Sequence, residues 1–244
     1  MDSPTSPDAA APAVGRSWTP DPAPAWRRLV ARLGERIAQG GSHVGAGGSG
    51  NVREHQARVA AVTRVLAEGV LSLRAPTPAR RPAAAGRLDQ ALARGRRGPE
   101  APAIRAIEPL ARALVWREGY MRPPAGLHGR FAQCEVAAPG GPVHCRDMRL
   151  GLILFAPGCV YPAHAHPGIE ESYVCLAGAV SQNEAGRLTP GALILNRSDR
   201  VHRLRAETGG PSLLAYAWLG PAPRLARAAT RFVRATPCRR RDGA

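Results

Sequence analysis

His164 and His166 stand two apart in the run Gly-Cys-Val-Tyr-Pro-Ala-His-Ala-His-Pro-Gly-Ile-Glu-Glu, residues 158–171. Side chains alternate along an extended strand, so histidines at i and i+2 point to the same side. Glu170 and Glu171 follow the Pro167-Gly168 turn, and either carboxylate can return to the same point. His202, the chain's last histidine, offers a fourth donor from a distant strand. Imidazole nitrogen and carboxylate oxygen together suit Zn, Fe, Mn, Co or Ni. Three histidines and one glutamate with positions left open describe a catalytic metal centre better than a closed structural one. Alternation also puts Glu171, Tyr173 and Cys175 on one strand face. A phenol beside a divalent cation has its pKa lowered by the charge and becomes a usable base. Cys175 is expected to be a small apolar filler. His43, His55, His128 and His144 lack this spacing and are expected to be ordinary surface or packing residues.

The elements that must hold such a cluster divide the chain in two. Residues 1–24 form a Pro/Ala/Ser-rich leader with the composition of a disordered segment. Residues 25–120 have helical periodicity. Trp26, Leu29, Val30, Leu33 and Ile37 share one face of a first helix, which the glycines of 40–50 stop. A second helix is expected from Asn51, as N-cap, to about Leu73, with Val59, Val62, Val65, Leu66 and Val70 inward. Leu88 and Leu92 mark a third. Ile104, Ile107, Leu110, Leu114 and Val115 mark a fourth that ends near Gly119. Residues 121–222 are short apolar or alternating runs between Gly, Pro, Asn and Asp signals, the pattern of a small antiparallel barrel. Residues 223–244 form an Arg-rich tail with Leu225, Phe232 and Val233 in a final helix.

Composition narrows the function classes. The chain has 244 residues and a formal net charge of +16, which ordinarily suggests nucleic acid. All 34 basic residues, however, are Arg, and the chain is rich in Ala, Gly and Pro, the pattern of GC-rich coding rather than of a phosphate-binding surface. The dense basic cluster Arg239, Arg240 and Arg241 sits near the end. The longest apolar run, Leu150 to Ala156, is too short to span a bilayer, and the N-terminus lacks the apolar stretch of a secretory signal. The five cysteines form no CxxC pair and are expected to be free thiols in a reducing, cytoplasmic compartment.

The run Gly158 to Gly178 matches G(X)5HXH(X)3–4E(X)6G, the first motif of the cupins, at every fixed position when Glu171 is the acid. The second cupin motif keeps Pro190-Gly191 and His202. Arg200-Val201 stands where a Pro usually precedes that His, and the later Asn is missing. More narrowly, Tyr161-Pro-Ala-His164-Ala-His166-Pro, Glu171-Ser-Tyr173 and Leu176-Ala-Gly178 resemble the Y-P-x-H-x-H-P … E-x-Y … L-x-G signature of the cupin-type dimethylsulfoniopropionate lyases. The segment 211–220, which ends in Trp218-Leu-Gly, is similar to that family's last barrel strand. One additional residue after His166 makes Glu170 a rival acid; Glu171 keeps both the spacing to Gly178 and the Glu-x-Tyr pair.

The resemblance implies a cupin barrel, a double-stranded β-helix, preceded by helices. It also implies one divalent transition metal ion on His164, His166, Glu171 and His202. The substrate would be a small sulfonium carboxylate, with Tyr173 as base and Tyr161 as a second tyrosine near the metal. A sulfonium favours aromatic faces; Tyr216 and Trp218, two apart on one strand, are candidates beside an ordinary packing role. Another cupin enzyme, such as a dioxygenase or isomerase, would use the same ligands with incidental tyrosines. A non-catalytic cupin, or one using its Arg-rich surface on nucleic acid, would not need them. The apolar-faced helical half could pair two subunits.

Overall fold

A computed structural model describes residues 21–42, 49–75, 77–120, 122–124, 126–227 and 230–233. Most of the leader, His43, Cys238 and Arg239 to Arg241 lie outside these residues. Helix α1 (Ala23–Gln39) buries Trp26, Leu29, Val30, Leu33 and Ile37, the stripe expected from their spacing. It crosses α2 (Ser49–Glu68) at Gly34, where an added Cβ would fall 2.3 Å from Thr63 Oγ1.

Four expectations for the helices need correction. Asn51 lies inside α2 rather than at its cap, because the helix begins at Ser49. The helix also ends at Glu68 rather than near Leu73, since Leu73 leaves to bridge Val143. Thr63 is buried while Val65 is 67% exposed and Val70 100% exposed, so those two valines do not face inward. After α3 (Leu88–Arg96), α4 runs only over Ala101–Ile107 and tightens into a 3₁₀ turn at Glu108–Leu110. Pro109 has no N–H for the α-helical ladder there. Beyond it the chain is no longer helical, and Arg117 bridges Gln133.

Among the described residues, eleven strands follow or flank the helices. They are β1 (Gly41–Ser42), β2 (Phe131–Ala138), β3 (Val143–His144), β4 (Arg149–Phe155), β5 (Val160–Ala165) and β6 (Glu170–Ala177), then β7 (Val180–Gln182), β8 (Ala192–Asn196), β9 (His202–Ala206), β10 (Ser212–Leu219) and β11 (Arg231–Phe232). One sheet has the order β1-β8-β6-β10-β4-β2-β3 and the other β11-β5-β9-β7. The two are the halves of a cupin barrel with the helices in front. The tail departs from expectation: only Ala222–Arg227 is helical (α5), and Phe232 belongs to β11, paired to β5.

The larger sheet is buried on both sides, which explains why β8 and β10 are apolar throughout rather than alternating. Leu150, Leu152, Leu154, Val174, Leu193 and Ala215 pack outward into the helical core. Ile153, Phe155, Tyr173, Ile194, Tyr216 and Trp218 pack into the barrel. At Gly151 a Cβ would lie 2.2 Å from the Cys134 carbonyl oxygen and 2.6 Å from the Tyr216 ring. The obstruction is backbone and cannot step aside. Gly151→Ala is expected to lose about 1–3 kcal/mol of stability, measured by denaturant unfolding.

Candidate metal centre

The histidines come from the smaller sheet. β5 carries His164, His166 follows its end, and His202 opens β9 directly opposite His164. The acid comes from the larger sheet, where Glu171 on β6 lies opposite Trp218 on β10. The β5–β6 turn rests on Gly168 at φ +73°, a conformation that favours glycine. Alternation then separates the two glutamates. Glu171 enters the barrel, whereas Glu170 turns outward towards Arg58 at 3.5 Å and Arg197 at 3.7 Å.

His164, His166, Glu171 and His202 are all buried, and their ligand atoms lie within 4.8 Å of one another. Donors bonded at about 2.0–2.2 Å to one ion sit roughly 3–4 Å apart. His202 Nε2 and His166 Nε2 are 2.9 and 3.3 Å from Glu171 Oε2. The far sides of two rings agree with a metal-binding tautomer. His164 Nδ1 is 2.7 Å from the Pro162 carbonyl and His202 Nδ1 3.0 Å from the Arg200 carbonyl. A carbonyl only accepts, so these Nδ1 atoms donate and the Nε2 lone pairs face the centre. The third ring, His166, has Nδ1 3.4 Å from Thr230 Oγ1. The donor set therefore fits a divalent transition metal.

Charge in the cluster is arranged by its own members. Burial alone would raise the Glu171 carboxyl, yet His166 and His202 hold it well below the usual range. Burial, reinforced by His202, pushes His164 down to about 3. Burial and the Glu171 charge raise the Tyr173 phenol well above its ordinary value, and burial does the same for Tyr161. The Tyr173 hydroxyl is fully enclosed and lacks a hydrogen-bond partner of good geometry. Tyr161 is differently placed. Its ring stacks on His164 with centroids 4.0 Å apart, and its hydroxyl is hydrogen-bonded to that of Tyr120.

Trp218 touches the centre through its edge as well as its face. The indole N–H donates to Glu171 Oε1 at 2.6 Å, and the ring lies 4.4 Å from His166. Tyr216 stands behind Trp218 at 6.1 Å and opposite Tyr173. Cys175 lies beside the Ala177 and Gly178 carbonyls, and burial pushes its thiol up to about 12, as befits a filler. Sequence periodicity gave no signal for Tyr120 and Thr230, which lie on irregular backbone. His55, expected to be ordinary, is buried on α2 and hydrogen-bonds Ser172 Oγ at 2.9 Å on the outer face of β6.

The sequence model of the dimethylsulfoniopropionate lyase family matches residues 54–214. A relative from Cereibacter sphaeroides, provisionally assigned as the dimethylsulfoniopropionate lyase DddL, is 38% identical over 202 residues, 83% of this chain and 85% of the relative. The chain belongs to the dimethylsulfoniopropionate lyase family. It is a carbon–sulfur lyase with a small-molecule substrate, which sets aside the oxygenase, isomerase and non-catalytic alternatives. Two solved structures share the lyase's fold. DddQ from Ruegeria pomeroyi has a TM-score of 0.52 at 22% identity, covering 81% of this chain and 92% of that one. A chain from the crystal structures of the dimethylsulfoniopropionate lyases RdDddP and RnDddQII has a TM-score of 0.58 at 20% identity, covering 86% and 98%. Among the lyase's described residues, no helix is long and apolar enough to cross a membrane.

Trp218→Phe keeps a ring but removes the indole donor. Its metal affinity is expected to fall about 10–100-fold, measured by competition with a chelating dye. The metal-free protein should also be acid-labile. His164 is held neutral in the fold down to about 3, while in the unfolded chain it takes a proton near 6.5. The depressed Glu171 acts in the same direction. Stability is therefore present above about 6.5 and is lost as pH falls from there towards 3. Urea titrations across that window check it.

Proposed function

We propose that this lyase cleaves dimethylsulfoniopropionate to dimethyl sulfide and acrylate, with a divalent metal held by His164, His166, Glu171 and His202 and with Tyr173 as base. The Tyr173 hydroxyl carries the reading, because it is enclosed at the centre beside Glu171, whose charge favours the protonated phenol until a bound cation offsets it. Tyr161, committed to Tyr120, serves as the second tyrosine. A metal ion bound at the centre supplies positive charge beside the substrate carboxylate and the phenols.

The chain's own residues then do the following. Tyr173, as the phenolate, takes the proton from the carbon next to the carboxylate. The electrons of that C–H bond form the double bond of acrylate, and the carbon–sulfur pair leaves with sulfur as neutral dimethyl sulfide. The leaving group needs no proton, so a single base is sufficient. Trp218 orients Glu171 through its N–H and turns a ring face to the sulfonium, with Tyr216 packed behind it. Enclosure of the site keeps water from competing with these contacts. The free thiols of Cys134, Cys145, Cys159 and Cys175 suit a reducing cytoplasm.

Protein reconstituted in turn with Mn, Fe(II), Co, Ni or Zn should release dimethyl sulfide into the headspace, and a chelator should abolish the release. Tyr173→Phe should lower kcat by about 10²–10⁴-fold with metal content unchanged. Full turnover in that variant would remove Tyr173 from the role of base.

A further inference from the structure

The metal centre is closed: its ligands are at most 2% exposed, and Tyr161 is 3% exposed. A substrate therefore needs a passage. A cavity of about 670 Å³ lies outside the barrel, walled by Arg80, Arg81, Arg117, Glu118, Tyr120 and His128 among others. Tyr120 belongs to both compartments. It lines the cavity, and its hydroxyl bonds that of Tyr161, whose ring covers His164.

Besides Phe131, on which its ring stacks with centroids 6.3 Å apart, and Tyr161, Tyr120 is held by the tail of the chain. Phe232 meets its ring edge-on at 5.1 Å, and the Thr230 hydroxyl is a hydrogen-bond partner of its phenol. Both come from the short strap of β11, tied to β5 by two residue pairs. The residue before Tyr120 is Gly119 at φ +76°, where a side chain would also strike Gln133. Gly119 thus holds a backbone conformation that other residues rarely adopt.

We propose that this cavity is the vestibule through which a small carboxylate reaches the metal centre, and that Tyr120, latched by Thr230 and Phe232, is its gate. The exposed guanidinium groups of Arg80, Arg81 and Arg117 match a carboxylate, the group shared by substrate and acrylate. The inference rests on the metal-centre reading above but not on the substrate assignment.

The test follows loss of metal rather than turnover. Protein loaded with Co(II) is mixed with excess EDTA, and the decay of its visible absorption is timed. Tyr120→Ala and, independently, Phe232→Ala should each lose cobalt about 10-fold faster than the parent. Tyr120→Phe, which keeps the ring, should fall between. Acrylate should slow the loss in the parent but not in the combined Arg80→Gln, Arg81→Gln, Arg117→Gln protein. Unchanged decay in both alanine variants, folded by circular dichroism, would overturn the gate. Equal protection by acrylate in the triple variant would overturn the vestibule. A chain that takes up no cobalt would overturn the metal centre and the gate together. Altered decay in a protein that releases no dimethyl sulfide would support the gate and remove only the substrate.

Discussion

A carboxylate and three imidazoles, each at most 2% exposed, meet between the two sheets of the barrel. An isolated buried charge costs several kcal/mol even after relaxation, so these groups are tolerable only as a set. Glu171 Oε2 faces the Nε2 atoms of His166 and His202 at 3.3 and 2.9 Å, and the Trp218 indole donates to its other oxygen. Carbonyls at Pro162 and Arg200 hold the protons of the outer Nδ1 atoms of His164 and His202, leaving their basic lone pairs inside. A divalent cation held there would complete the compensation that protein atoms begin.

The fold serves this arrangement by drawing ligands from opposite sheets. Two sheets packed face to face place strand residues from distant parts of the chain within one layer of side chains. Here β5 and β9 provide the histidines, and β6 and β10 provide Glu171 and its indole donor. Such convergence requires the larger sheet to be rigid. Helices α1, α2 and α3 cover its outer face with apolar side chains, so β6 and β10 are packed from both sides. The His55–Ser172 hydrogen bond is a polar tie between α2 and β6 at the ligand's back.

Much of this was legible in residue spacing. The HxH pair, the acid and the closing glycine lie within one turn and two strands, where alternation alone dictates direction. The stripe of α1 was equally plain. Failures came where a local pattern met a non-local constraint. Val65 and Val70 had helical spacing, but the inward face of α2 is set by its crossing with α1 at Gly34, and the helix stops before Val70. Phe232 looked like a helical residue, yet pairing with β5 draws it into a strand. No local periodicity reports which distant edge a short tail will join.

By itself the sequence determined the chemistry of the donors. It supplied the motif from Gly158 to Gly178, the pairing of Glu171 with Tyr173, and an apolar pattern sufficient for a barrel behind helices. Only the tertiary structure decided which groups act on one another. It sent Glu170 to the arginines outside and Glu171 to the histidines inside, and made Trp218 a donor to the acid. It also brought Tyr120 from the connecting segment and Thr230 from the tail to the edge of the site. The physical reason is range: alternation along a strand is a property of neighbours in the chain, whereas hydrogen bonds and ion pairs depend on distances that exist only after the sheets have closed.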